Sequence, residues 1–189
     1  MSEKIKLNIA SGERKFAGFI NIDAEESTKP DIICNILREP LPFQIESVDT
    51  IYFLHGLEHI PISFWQKVLN EFRRVLVSEG LLLLAYPEFE KCITAFLENK
   101  CGMRDFWRAT LYGRQLYEGD YHVSPVITSE LTLILKQIGY KNISFAPDDE
   151  AEYYTFLKAY KGVPFTHEDV LRKEVLKDVS RKDTRFKLL

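Results

Sequence analysis

Short apolar segments alternate with amphipathic ones along most of this chain, and that alternation restricts the fold more than any other feature of the sequence. The apolar segments before residue 90 have the length and the β-branched content of strands. They span residues 5–9, 19–23, 31–36, 48–54 and 81–86. The last of them is apolar without interruption, which is typical of a strand that is covered on both faces.

Two amphipathic segments have the spacing of helices. In residues 63–76 apolar side chains recur every three or four positions, Ser63 can cap the start, and Gly80 follows the end. In residues 128–138 the same spacing recurs, with Thr128 or Ser129 as the cap and Gly139 as the stop. Residues 141–146 and 154–160 look like two late strands, and the short acidic turn between them predicts an antiparallel pair.

Strands that alternate with helices predict an α/β fold. We expect a Rossmann-like, doubly wound, mostly parallel sheet with helices on both faces and an antiparallel hairpin at its C-terminal edge. Residues 1–161 form this domain, and residues 162–189 are predicted to be a charged helical extension, since seven basic and three acidic residues lie between positions 172 and 189. Sheets of this kind bind ligands at the carboxyl ends of their strands.

Composition narrows the partners that such a domain could have. The formal charge of −3 and the pI of about 5.9 do not fit a protein that mainly grips nucleic acid. Three cysteines without C-x-x-C spacing predict neither a disulfide framework nor a zinc knuckle, and they favour a reducing cytoplasm. The longest apolar run, residues 81–86, is too short to cross a membrane.

The segments that follow the predicted strands contain residues suited to bind a nucleoside. Ala10, Ser11 and Gly12 follow the first strand, and such small residues let the backbone turn sharply and a ligand approach closely. The second strand ends in Asp23, whose carboxylate can accept hydrogen bonds from both hydroxyls of a ribose. There is no G-x-G-x-x-G fingerprint, which argues against a nicotinamide dinucleotide.

Taken in order, these blocks resemble class I S-adenosylmethionine-dependent methyltransferases. The resemblance is carried by residues 7–12, by Asp23, by Pro-Leu-Pro-Phe at 40–43, and by residues 47–59, 69–76 and 81–87. It implies S-adenosylmethionine as cofactor and transfer of its methyl group to a small-molecule or glycan-type acceptor. The alternative is a cofactor-binding or scaffold protein that has the same fold and lacks catalysis.

The resemblance also implies a role for individual residues. The methionine part of the cofactor would lie near Asn8, Ala10, Ser11 and Gly12, the ribose on Asp23, the adenine beside Asn35, Ile36 and Leu37, and the sulfonium over His55. The family commonly has an acidic residue where this chain has Asn8 and a glycine where it has Ala10. Gly12 and Asp23 are also only 11 positions apart, against about 20 in a dinucleotide-binding unit, so at most one helical turn fits between them.

Histidine is the side chain best suited to take a proton from an acceptor near neutral pH. His55 and His122, the latter beside Tyr121 in the sequence, are therefore the predicted catalytic residues. For His122 a purely structural role as a brace near the 128–138 helix is an equal alternative. The aromatic residues Trp107 and Tyr112 lie in an insertion that would cover the acceptor pocket or form an ordinary helical cap.

Residues 55–59 also match H-x-x-E-H, the inverted zinc-peptidase signature. That chemistry requires both histidines on one face of a continuous helix. The segment follows a strand, contains Gly56 and is followed by Pro61, so a helix is poorly supported. We therefore expect no metal site here, and we expect Glu58 and His59 to form a polar turn that closes the cofactor pocket.

Overall fold

The computed structural model describes residues 4–98, 109–116, 118–147 and 153–162. Its strands are β1 (Lys6–Ile9), β2 (Ile20–Asp23), β3 (Ile32–Ile33), β4 (Val48–Leu54), β5 (Leu76–Pro87), β6 (Tyr140–Pro147) and β7 (Tyr154–Lys161). Its helices are α1 (Ile62–Val75), α2 (Phe89–Leu97) and α3 (Thr128–Ile138). Single 3-10 turns occur at Glu26–Thr28, Leu57–His59 and Glu118–Asp120.

The strands form one sheet of order β3-β2-β1-β4-β5-β7-β6. The first five run parallel to their neighbours, and β7 is antiparallel to both β5 and β6. The predicted Rossmann-like sheet with an antiparallel C-terminal pair is thus confirmed. Within that pair, the later strand β7 lies inside the sheet and β6 forms the edge.

Helices α1 and α3 contact each other and cover one face of the sheet. Alternate residues of the strands point to this face, so Leu7 and Ile9 of β1 are buried together with Phe53 of β4. Trp65 and Phe72 of α1 fill the space between the helix and the sheet. This core fixes the strands whose carboxyl ends form the candidate site.

On the opposite face, buried amides replace a crossover helix between β1 and β2. Asn8 and Asn21 are register partners in the sheet. The side-chain amide of Asn8 donates to Asn21 Oδ1 at 3.0 Å and to the Arg14 carbonyl at 2.8 Å. The Phe16 amide also donates to Asn21 Oδ1, at 3.1 Å. Residues 10–19 contain no helix, as their length predicted, and these hydrogen bonds hold them against the sheet.

Several predicted boundaries and caps are wrong. Helix α1 begins at Ile62, after Pro61, and Ser63 makes no cap because it is already inside the helix. The chain passes directly from α1 into β5 at Leu76, so Gly80 does not end the helix; it lies at a register irregularity of β5. The third strand is only Ile32–Ile33 because a turn at Asn35 ends it.

The start of α3 was also assigned to the wrong cap. Neither Thr128 nor Ser129 caps the helix; the carboxylate of Glu88 accepts the Thr128 amide, at 3.1 Å from Oε2. Glu88 follows β5 and is buried, so an acidic group from another element takes the place of a local cap. The C-terminal stop is as predicted, with Gly139 at φ 107°.

Parts of the sequence prediction lie outside the described residues. These are Trp107, the acidic turn at residues 148–150, and nearly all of the charged extension, from residue 163 onward. Among the residues that the structure describes, no helix combines the length and the apolar character needed to span a membrane.

Candidate functional site

The carboxyl ends of β1 and β4 turn through left-handed backbone conformations. Ala10 has φ 53° and Gly12 has φ 50° after β1, and His55 has φ 56° after β4. Side chains with a Cβ disfavour this region, and such residues cluster at binding sites. The two strands are neighbours at the point where the strand order reverses, which is where sheets of this type bind ligands.

Asp23 faces the turn that follows β1. Its Oδ2 accepts the Gly12 amide at 2.7 Å, and its Oδ1 accepts the Glu25 amide at 2.9 Å. The turn is also tied to β2 through the Ser11 amide, which donates to the Ile22 carbonyl at 3.0 Å. A Cβ built on Gly12 would meet no atom within 4 Å, so the space beside this turn is open to a ligand.

Lys15 places a positive charge on the same turn. Its Nζ donates to Ser11 Oγ at 3.0 Å and to the Gly12 carbonyl at 2.8 Å. Ser11 itself is buried, whereas Ala10 is exposed. Asn8 is 3% exposed and lies beneath the turn, so its side chain supports residues 10–14 from below.

The segment predicted to contact adenine lies next to Asp23. The Cys34 amide donates to the Asp23 carbonyl at 2.9 Å, and Asn35 follows directly. The Asn35 side chain accepts the Leu37 amide at 3.0 Å and so shapes a turn at the end of β3. Ile36 and Leu37 are partly buried against the core. The residues assigned to the ribose and the adenine are therefore adjacent in space.

His55 lies on the other side of β1 from Asp23. Its amide donates to the Ala85 carbonyl of β5 at 2.8 Å, and its ring meets Tyr154 edge to face at 5.0 Å between centroids. Its Nδ1 is 3.5 Å from Oε1 of Glu58. Because β4 and β2 flank β1, Asp23 and His55 are two strand spacings apart, or about 10 Å.

His122 joins His55 at the carboxylate of Glu58. Its Nδ1 contacts the Thr110 carbonyl at 2.9 Å, and its ring packs edge to face on His59 at 4.7 Å between centroids. Burial lowers the pKa of His122, although the nearby Glu58 carboxylate acts in the opposite direction. The two histidines predicted as catalytic thus flank one buried acid.

The 55–59 segment does not have the geometry of an inverted zinc peptidase. Residues Leu57–His59 form a single 3-10 turn that ends at Ile60 before α1 begins. A continuous helix carrying both histidines is absent from this described segment, as expected from Gly56 and Pro61.

The insertion before His122 is attached to the site by its backbone. The Tyr112 carbonyl accepts the His122 amide at 3.1 Å, and the Tyr112 side chain is 60% exposed. A Cβ on Gly113 would lie 1.9 Å from the Asp120 carbonyl oxygen. Only glycine permits this approach, and it brings the insertion to the segment that carries His122.

Sequence reasoning missed two contributors to the site. Glu58 was expected in a polar turn, yet it is 1% exposed. Tyr154 belongs to the late strand β7 and reaches His55 because β7 is inserted beside β5. The H-x-x-E-H spacing could have indicated that Glu58 belongs to the site. No local pattern in the sequence indicates that Tyr154 contacts His55.

Comparison with known proteins agrees with this geometry. Residues 12–84 match the family model described as a methyltransferase domain. The matched region runs from the turn after β1 into β5, and therefore includes Asp23 and His55. No curated protein matches the sequence.

The fold is similar to that of solved methyltransferases. A SAM-dependent methyltransferase from Archaeoglobus fulgidus has a TM-score of 0.61 at 12% identity, covering 84% of this chain and 86% of that one. A SAM-dependent methyltransferase from Methanosarcina mazei has a TM-score of 0.60 at 14% identity, covering 87% of this chain and 95% of that one. A SAM-dependent methyltransferase from Thermotoga maritima has a TM-score of 0.59 at 14% identity, covering 85% of this chain and 84% of that one. Together with the sheet order, these likenesses show that the chain has the fold of S-adenosylmethionine-dependent methyltransferases, and its residues 12–84 match a methyltransferase domain.

Proposed function

We propose that this chain is a class I S-adenosylmethionine-dependent methyltransferase, which binds S-adenosylmethionine across the carboxyl ends of β2, β1 and β4 and methylates a small-molecule or glycan-type acceptor. The observation that carries the proposal is the contact between Asp23 Oδ2 and the Gly12 amide, at 2.7 Å. It joins the acid that would bind the ribose to the turn that would pass beneath the methionine part.

The hydrogen-bonding capacity of Asp23 supports the ribose assignment. An ionised carboxylate has about four lone-pair positions, and the Gly12 and Glu25 amides use two of them. The positions that remain suit two ribose hydroxyls. The ammonium of Lys15, which is bound to the same turn, would attract the carboxylate of the methionine part.

Methyl transfer is a displacement at a carbon bonded to positive sulfur, so alignment of the acceptor contributes most of the rate. A base is needed only where the acceptor is a protonated hydroxyl or amine. His55, about two strand spacings from Asp23, is the proposed residue beside the sulfonium. His122, on the far side of Glu58, is the proposed residue on the acceptor side.

Exposed aromatic side chains near His122 favour the proposed acceptor class. Tyr112 is 60% exposed and Tyr121 is 45% exposed, and both belong to the segments that contact His122 or precede it. Exposed rings of this kind can pack on the apolar face of a sugar or on another ring. We also propose a cytoplasmic location, which the free thiols of Cys34 and Cys92 support.

Cofactor binding and turnover test the proposal separately. Asp23→Asn should weaken S-adenosylmethionine binding by about 10- to 150-fold, because a hydrogen bond to a charged group contributes about 1.5–3 kcal/mol. Glu25→Gln is the matched control, since it removes a carboxylate two residues away that accepts hydrogen bonds from Ser27 and does not contact the Gly12 turn in the described structure. Equal affinity in the two variants would contradict the assignment of the ribose site.

Formation of S-adenosylhomocysteine with a panel of hydroxyl, amine and sugar acceptors tests catalysis. With an acceptor in hand, His55→Ala should lower kcat by about 10²- to 10⁴-fold if His55 moves a proton. Tight cofactor binding with no turnover on any acceptor would favour the non-catalytic alternative.

A further inference from the structure

Glu58 is a buried acid with no hydrogen-bond partner for its side chain. It is 1% exposed, and within the described residues neither Oε1 nor Oε2 accepts a hydrogen bond. Its Oε1 is 3.5 Å from Nδ1 of His55, without the geometry of a hydrogen bond. Burying an unpaired carboxylate is costly, so buried charges are normally paired or bound to a metal ion.

Two further histidines lie near this carboxylate, and in both rings Nδ1 contacts a backbone carbonyl. His59 Nδ1 is 3.0 Å from the Tyr121 carbonyl, and His122 Nδ1 is 2.9 Å from the Thr110 carbonyl. A carbonyl only accepts, so in each ring Nδ1 carries the hydrogen and Nε2 keeps its lone pair. Metal-ligating histidines are held in this way, with one nitrogen donating to a carbonyl and the other binding the ion.

The three side chains converge although His122 is 63 positions from His59 in the sequence. A ligand atom from each of Glu58, His59 and His122 lies within 4.8 Å of the other two. The amides of Val123 and Ser124 donate to the Glu58 carbonyl at 2.8 and 3.1 Å, which fixes the His122 segment against the turn. The burial of Glu58 and the orientation of both rings therefore point independently to one centre.

We propose that Glu58, His59 and His122 bind a divalent transition-metal ion. Two imidazoles and one carboxylate suit Zn²⁺ and similar ions better than Mg²⁺ or Ca²⁺, which prefer oxygen ligands. The ion neutralises the Glu58 carboxylate. Three protein ligands leave at least one position of a tetrahedral ion open, and within the proposed function an oxygen or nitrogen atom of the acceptor occupies it.

This centre differs from the zinc-peptidase reading of residues 55–59. There Glu58 would be a base and both histidines of the motif would be ligands on one helix. Here Glu58 is itself a ligand, and the second histidine is His122, which is 64 positions away from Glu58 by number. The sequence motif alone could not indicate such a site.

Metal binding to the full chain tests the proposal independently of methyl transfer. After removal of metals with a chelator, titration calorimetry should show one Zn²⁺ bound per chain. Glu58→Gln, His59→Ala and His122→Ala should each weaken that binding at least about 100-fold. Controls are Glu90→Gln, an exposed acid in the first turn of α2, and His167→Ala, both of which should bind as the wild type does.

Thermal unfolding separates a ligand from a structural acid. Without metal, Glu58→Gln should melt at or above the wild-type temperature, since it removes a buried charge that accepts no hydrogen bond within the described residues. Zn²⁺ should raise the melting temperature of the wild type and leave that of the variant unchanged. Absence of Zn²⁺ binding to the wild type would overturn the proposal. Wild-type zinc affinity in all three variants would also overturn it. So would a Glu58→Gln variant that melts below the wild type without metal and binds zinc as tightly as the wild type does.

Discussion

At the scale of single residues, Ala10 and His55 adopt backbone conformations that an L-residue disfavours. Their φ angles of 53° and 56° place them in the left-handed region, directly after β1 and β4. Neither residue has the freedom of glycine, so each stores strain at the edge where the cofactor would bind. A ligand that contacts this edge meets a backbone already held in this left-handed conformation.

Replacing Ala10 by glycine should release part of this strain. The left-handed conformation costs a residue with a Cβ about 1–2 kcal/mol. Glycine avoids this cost, but it loses more conformational entropy on folding than alanine does. We therefore expect Ala10→Gly to raise the free energy of unfolding by up to about 1 kcal/mol. Ala17→Gly is the control, since Ala17 is exposed and has no positive φ; it should destabilise. Chemical denaturation measures both, and equal destabilisation would contradict the role of strain at Ala10.

Single residues also show where sequence reasoning reaches its limit. The turn at Ala10–Gly12 and the acid at Asp23 could be foreseen because each directly follows a strand, and their contact at 2.7 Å follows from the pairing of β1 with β2. The meeting of His59 with His122 could not be foreseen, because it depends on how the insertion returns to the sheet. The burial of Glu58 has the same origin.

At the scale of elements, an ion pair on α1 holds the segment between β3 and β4. Arg74 binds Glu71 through two nitrogens, at 2.7 and 2.8 Å, and also donates to the Phe43 and Leu41 carbonyls. Glu71 accepts the Leu41 amide at 2.8 Å. This loop carries the Pro-Leu-Pro-Phe block and follows the residues assigned to the adenine.

Glu71→Gln should therefore destabilise the protein by about 1.5–3 kcal/mol at neutral pH. Burial acts to raise the pKa of Glu71, but the hydrogen bonds from Arg74 and Leu41 outweigh it and hold the pKa below its ordinary value. The stabilisation is thus present above about pH 4.5 and is lost as the pH falls through the lowered pKa.

Denaturation of wild type and variant from pH 7 to pH 3 measures this effect, and their difference should shrink on the acid side. Glu79→Gln is the control, because its contact with Lys141 is at the surface and contributes little. A difference between wild type and Glu71→Gln that grows toward low pH would contradict the assigned pairing.

Gly113 is the element-scale test of the His122 segment. Gly113→Ala would place a Cβ 1.9 Å from the Asp120 carbonyl oxygen, whereas Gly18→Ala has the same kind of positive φ and meets nothing within 4 Å. Backbone strain is therefore similar in the two variants, and only Gly113→Ala adds a collision. We expect Gly113→Ala to lose turnover and to melt at the lower temperature of the two; equal behaviour would show that this contact does not position His122.

The boundaries that were mispredicted share a physical cause. Local sequence preferences predicted caps at Ser63 and at Thr128 or Ser129. Instead, α1 begins directly after Pro61, and the carboxylate of the distant Glu88 accepts the first amide of α3. Gly80 was likewise predicted to end a helix, because a glycine after a periodic segment is a local stop signal. Its actual place at an irregularity of β5 depends on the register between β5 and β4, which the local sequence does not encode. Long periodic segments such as α3 and β4 were predicted with the observed bounds because their burial pattern is encoded locally.

At the scale of the whole molecule, the sheet order and the site reinforce each other. The order reverses beside β1, so the ends of β2, β1 and β4 present Asp23, Gly12 and His55 along one edge. The connection between β1 and β2 lacks a helix, and buried amides of Asn8 and Asn21 hold it in place. The edge proposed for the cofactor is therefore built from a shorter segment than in a full crossover unit.

Binding of S-adenosylmethionine to Gly12→Val and Gly18→Val, measured by titration calorimetry, tests the location of this edge most directly. Both glycines have positive φ, and neither has an atom within 4 Å of a built Cβ, so the two variants carry comparable strain and neither added Cβ collides. We predict one cofactor bound per wild-type chain, near wild-type affinity in Gly18→Val, and at least about tenfold weaker binding in Gly12→Val, which corresponds to about 1.4 kcal/mol. Undiminished affinity in a folded Gly12→Val variant would mean that the cofactor binds elsewhere.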